Sequence, residues 1–217
     1  MWKLVFLFAM SWCAAVENNT QQDRNDILEE HMRSRGNVTP IASKMQLLRY
    51  STDLENVAKQ WAANCTNQSP NSTLLHNYPN VSVTWTFFTS KRPKYTEVLH
   101  VFDNSLHYYN YTNNSCSGNC RLYIQFVWEN TTEVGCGMSR CKNGTSDSDN
   151  QRYLVACAYK PAAKFEGQRP YENGNSCSKC QDDFFCYRNQ CTNDTSLLTT
   201  TYAPSFDTTW DFYQDFW

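Results

Sequence analysis

The chain has no excess of charge of either sign: nineteen Lys and Arg stand against twenty-one Asp and Glu in 217 residues. That balance excludes the strongly basic footprint of a nucleic-acid binder, so no nucleic-acid partner is expected. An apolar run fit to cross a bilayer is also missing. Leu4 to Trp12 is apolar but too short, and no membrane span is expected. The low hydrophobic content of disordered chains is absent too, since 41% of residues are hydrophobic and 15% aromatic. One domain of ordinary size with a real core, plus appendages, is the expectation.

What is present begins with a leader. Lys3, the run Leu4 to Trp12 and the small residues Cys13-Ala14-Ala15 read as a secretory signal over residues 1–15, cut after Ala15. Its removal takes one of eleven cysteines and leaves ten, an even number that implies disulfides in a secreted chain. Eleven Asn-x-Ser/Thr sequons lie at Asn18, Asn37, Asn64, Asn67, Asn71, Asn80, Asn110, Asn113, Asn130, Asn143 and Asn193. They agree with a glycosylated extracellular protein and place those asparagines at the surface. The sequence CSKC with Cys186 and Cys191 has the spacing of a zinc knuckle, but in an oxidising compartment disulfides are the better reading.

Periodicity supplies the elements. Leu122, Ile124, Phe126 and Trp128 alternate with Tyr123, Gln125 and Val127, and Tyr153, Val155, Cys157 and Tyr159 alternate with Leu154, Ala156 and Ala158. Apolar on both faces, these runs read as central strands, with Glu133 to Cys141 as a third, antiparallel partner. A loop follows over Lys142 to Arg152, and Val81 to Phe88 reads as a further strand. After a loose lead-in over 16–25, Ile27, Leu28, His31, Met32 and Arg35 fall at helical spacing up to Gly36. A short helical segment with Met45 and Leu48 follows Pro40. Ser51 or Thr52 caps the next helix, Glu55 being placed for a capping box with Thr52, and Leu54, Val57, Ala58, Trp61 and Ala62 form its stripe. Tyr95, Val98, Leu99, Phe102 and Leu106 mark another helix. Helices on both sides of a three- to four-stranded antiparallel sheet make an α+β chain, an α/β/α sandwich. Residues 161–191 read as a separate disulfide-rich hinge and 192–217 as a disordered tail.

YIQFVW, VGCG and VACAYKP, with EEHMRSRGNVTPIASKM, WAANC and FDNSLHYYNY upstream and RPYENGNSCSKC downstream, resemble the CAP superfamily in the right order. That superfamily comprises cysteine-rich secretory, pathogenesis-related and venom allergen-like proteins, and the sequons and short tail are similar to the parasitic-worm members. The resemblance implies the same sandwich over residues 16–160. It also implies the bridges Cys65–Cys141, Cys136–Cys157, Cys116–Cys120, Cys177–Cys186 and Cys180–Cys191. Most relatives carry a cleft with two histidines and two glutamates, a set suited to a divalent metal. Here Leu122, Asn104, Pro79 and Ser69 stand at those positions, and His76 reads as a surface-loop histidine rather than a displaced survivor, so no metal and no cofactor are expected. His31 is expected to be packed and hydrogen-bonded, His100 and His107 solvated or capping, and Glu29, Glu30, Asp53 and Glu55 solvated. No Ser-His-Asp or Cys-His set suggests itself, and no catalytic residue is assigned.

Two apolar features remain. By resemblance, Ile27, Leu28, Met32, Val98, Leu99, Phe102 and Leu106 line a groove between neighbouring helices that holds a fatty acyl chain in some relatives. The plainer reading is that they form the core. Tyr108, Tyr109 and Tyr111 precede a small disulfide loop whose counterpart contacts sterol in other relatives, and Tyr suits a flat lipid with one hydroxyl. The reading is a secreted, non-enzymatic binder of small lipids, sterol or fatty acid. The alternative is an interaction or immune-modulating factor with an extracellular or host protein as partner.

Overall fold

A strip of glycine and alanine decides how the layers stack. The computed structural model describes residues 15–68, 75–89, 91–141, 152–165 and 167–198; most of the segments expected to be leader (1–15) and tail (192–217) lies outside them. Three long antiparallel strands, β3 (Ser82–Thr89), β6 (Glu133–Cys141) and β7 (Arg152–Lys160), form the sheet with β7 in the middle. Two short strands share the far edge of β6. β1 (Ala15–Val16) pairs antiparallel at Ser139 and Arg140, and β2 (Arg49–Tyr50) pairs parallel at Glu133 and Val134. The sheet therefore has five strands, one more than the sequence suggests, and one pairing is parallel.

On one face Gly135 lies opposite Ala158 and Gly137 opposite Ala156. Helix α2 (Thr52–Ala63) seats Leu54, Val57, Ala58, Trp61 and Ala62 on this side. A Cβ on Gly135 would stand 2.2 Å from the Glu55 backbone nitrogen, and one on Gly137 2.5 Å from that of Lys59. Backbone atoms have nowhere to move, so only glycine allows this approach. The helix is capped by Ser51, whose hydroxyl accepts from the Leu54 N–H at 3.3 Å, and not by the anticipated Thr52–Glu55 box.

The opposite face carries Val134, Cys136, Met138, Val155, Cys157 and Tyr159. Over it lie α1 (Gln21–Gly36), α3 (Tyr95–Asn104, continued by a 3-10 turn to Tyr108) and a short α4 (Arg121–Phe126). Helix α4 occupies the run expected to be a strand. The Ile124 N–H donates to the Cys120 carbonyl and the Val127 N–H to that of Tyr123, both helical bonds. Residues 123–126 are all buried, so alternation of apolar residues carries no information there.

Other expectations are corrected by backbone partners. The lead-in is not loose: Thr20 caps α1 in a reciprocal box with Asp23, and Asn19 is buried. The segment after Pro40 forms no helix, because Ala42 bridges to Asn173 and Gln46 to Cys191. The hinge is not separate. Arg188 clamps Glu29 at 2.6 and 2.8 Å, and the Gln190 side-chain amide donates to the Met32 carbonyl. Order extends past residue 191, with Thr192 buried in β9 (Gln190–Thr192), which pairs with β8 (Phe185–Tyr187), as β4 (Tyr109–Asn110) pairs with β5 (Ser115–Cys116). All five disulfides named above are formed, and Cys136 faces Cys157 directly across β6 and β7. Each such bridge typically contributes about 2–4 kcal/mol.

The close seat of α2 gives a direct test. Gly135→Ala or Gly137→Ala is expected to destabilise the oxidised protein by about 1–3 kcal/mol in urea unfolding, through overpacking against backbone. A variant as stable as the parent would contradict the stacking described.

Candidate functional site

The proposed groove is closed. Ile27, Val98, Leu99 and Phe102 are at most 1% exposed and fill the space between α1, α3 and the sheet. Leu28 is half-buried against them, the Met32 sulfur lies 3.0 Å from an Arg188 nitrogen, and Leu106 is exposed. Polar contacts fasten both ends. The Tyr95 hydroxyl donates to Asn19 Oδ1 at 2.7 Å, and Arg33 lies 3.7 Å from Asp103. These seven residues therefore divide into core and surface; an acyl chain between the helices would have to displace the core set.

The three loop tyrosines separate in the same way. Tyr109 is buried, with its hydroxyl donating to Asn114 Oδ1 at 2.8 Å. Tyr111 stacks on Tyr171 at 4.9 Å and donates to its carbonyl. Tyr108 alone stays open, at 49% exposure, and its ring lies over Gly118 inside the loop closed by Cys116 and Cys120.

The positions of the relatives' metal cleft do not converge on a ligand set. Leu122 lines a cavity of about 620 Å³ with Val83, Trp85 and Phe165, whereas Pro79 lines a different cavity beside α2. Asn104 is exposed, as is His76, and Ser69 lies outside the described residues. Among the described residues the one tight group of metal-ligating types is Cys177, Cys180 and Cys191, whose sulfurs are in disulfides. Nine sequon asparagines, all but Asn71 and Asn143, fall in the described residues, and all nine are exposed.

The Cysteine-rich secretory protein family, CAP, matches residues 11–159. The chain belongs to the CAP family. Human cysteine-rich secretory protein LCCL domain-containing 2 is 31% identical over 201 residues, 87% of this chain, which spans only 39% of that protein's length. Bovine GLIPR1-like protein 1 is 29% identical over 94% of this chain and 89% of its own. Among solved structures, Schistosoma mansoni venom allergen-like protein 4 superposes with a TM-score of 0.59 at 24% identity, covering 71% of this chain and 97% of its own. That likeness speaks for the shared fold alone. Among the described residues no helix is long and apolar enough to cross a membrane.

Of two buried polar groups in this CAP domain, one departs from expectation and one meets it. Glu55, read as solvated, is 3% exposed. It accepts from Arg24 at 2.9 and 3.2 Å, from Lys59 at 2.7 Å and from the Tyr50 hydroxyl at 2.7 Å. Burial alone would raise its pKa, but these donors hold it down at about 2. Lys59, four residues on in α2, is the partner that residue order could suggest; Arg24 comes from α1. His31 is fully buried, as expected. Its Nδ1 lies 2.7 Å from the Ile27 carbonyl, which only accepts, so Nδ1 carries the proton and Nε2 accepts from the Tyr159 hydroxyl at 3.1 Å. Burial lowers its pKa to about 3.

Both groups make the fold acid-sensitive, in different windows. The unfolded chain protonates His31 from 6.5 downward, but the fold resists until about 3, so stability falls as pH drops between them. Glu55 contributes in full above 4.5 and loses its contribution as pH falls through about 2. Urea unfolding is expected to show about 2–3 kcal/mol lost between pH 6.5 and 4.5 through His31, with a flatter slope in His31→Gln. An unchanged slope in that variant would contradict the assignment.

Proposed function

We propose that this CAP protein is secreted, glycosylated and non-enzymatic, and that it acts by binding small amphipathic lipids, sterol foremost. One observation carries the reading. Of six large hydrophobic residues exposed among the described residues, Val101, Leu106 and Tyr108 all lie at one end of α3. The disulfide loop backs Tyr108, so its ring is presented from a rigid support and offers an apolar face with a polar tip. Five disulfides and nine exposed sequon asparagines support an oxidising, secretory route. In this reading residues 1–15 are the leader, 16–160 the CAP domain and 161–191 a hinge docked on it. The buried histidine supports a binding role over a catalytic one, since a carbonyl and a tyrosine hydroxyl occupy both of its nitrogens.

Delipidated protein is expected to bind labelled cholesterol saturably. The double variant Leu106→Ser, Tyr108→Ser should lose about tenfold or more in affinity with an unchanged melting temperature, because both side chains are exposed. No binding by the parent protein would overturn the reading and leave the alternative of an extracellular or host protein partner.

A further inference from the structure

We propose a second ligand site at the open edge of the sheet, where the pocket between β3 and α4 takes a single-chain amphipath with an anionic head, such as a free fatty carboxylate. The inference rests on the lipid-binding reading above but places the ligand away from the tip of α3 and from the α1–α3 interface. Among the described residues β3 pairs only with β7, so its other edge is open, and the cavity of about 620 Å³ lies along it. That volume is within the range of small-molecule sites, about 300–1,000 Å³.

The walls define the ligand. Trp85, Leu122 and Phe165 are large apolar side chains, each left half-buried around the same space, and Val83 closes it from the sheet. Leucine at position 122 makes this wall apolar. Two of the polar groups on the rim are committed within the protein. The Ser82 hydroxyl donates to Gln125 Oε1, and Asn119 Oδ1 accepts from the Arg121 backbone N–H. A polar ligand would find few partners, but an alkyl chain needs none.

The exception is Arg121, the one charged residue of the lining. It forms no salt bridge among the described residues. Its guanidinium carbon sits 4.1 Å from the Phe165 ring centroid. Stacking orients the guanidinium plane and leaves its N–H edge for a carboxylate, which it can bind in a bidentate manner. An unpaired cation at the mouth of an apolar pocket is complementary to a fatty acid.

Calorimetric titration of the delipidated, glycosylated protein with dodecanoate and with dodecan-1-ol tests this. The parent is expected to bind dodecanoate at least about tenfold more tightly than the alcohol. Arg121→Glu should erase that preference, Leu122→Trp should block both ligands by filling the pocket, and the remote surface variant Ile41→Ser should match the parent. Melting curves identify any variant that fails to fold, and the exposed Arg121 keeps the charge test independent of the filling test. If the parent binds dodecanoate while Arg121→Glu and Leu122→Trp, both folded, bind it equally well, the site is wrong and the lipid reading stands. Binding of cholesterol without dodecanoate also overturns the site alone. Binding of neither overturns both.

Discussion

A single buried cation holds the helical layer together. Arg35, near the end of α1, is 1% exposed. Its guanidinium donates to the carbonyls of Phe126, Trp128, Gln46 and Thr131 at 2.8–3.1 Å. Burial lowers its pKa to about 9, so it stays charged at neutral pH. Among the described residues no carboxylate contacts it directly; backbone dipoles neutralise it, including the last carbonyl of α4, where a positive charge is favoured. Two chain segments, one at Gln46 and one at residues 126–131, thus share one donor group. Removing it would leave buried carbonyls unpaired, at about 1–3 kcal/mol each.

Gln125 completes the anchoring of α4. It is fully buried, and its side chain accepts from the Ala163 N–H at 2.8 Å and donates to the Thr131 hydroxyl. Arg35 from one side and Gln125 from the other fix a helix of six residues that could not hold its shape alone. The open pocket depends on this, because Arg121 and Leu122 stand on the first turn of that helix. On the far face the glycine and alanine strip lets α2 sit close, and Glu55 reaches Arg24 of α1 around the edge of the sheet.

Much of this was readable from residue order. The stripes of α1, α2 and α3 and the alternation in β7 each have faces that differ in what they meet, and such faces leave a period in the sequence. Residues 123–128 left none, being buried all round. The segment 41–48 was misread because its hydrogen-bond partners lie some 130 residues away at Asn173 and about 145 away at Cys191, as the register of the bridges shows. Apolar identity could name Ile27, Val98, Leu99 and Phe102, but whether they line a gap or fill it depends on helix spacing, set by contacts such as Tyr95 with Asn19. The buried roles of Asn19 and Glu55 were illegible for the same reason. Trp85, Arg121 and Phe165 come together only in three dimensions.

The account depends on Arg35 fixing the turn that follows α4, and amide hydrogen exchange of an Arg35→Met variant measures that directly. Protection over residues 121–131 is expected to fall by about tenfold or more, while the strands at 82–89 and 152–160 keep theirs. Unchanged protection over 121–131 in a folded variant would contradict the claim that this cation organises the layer.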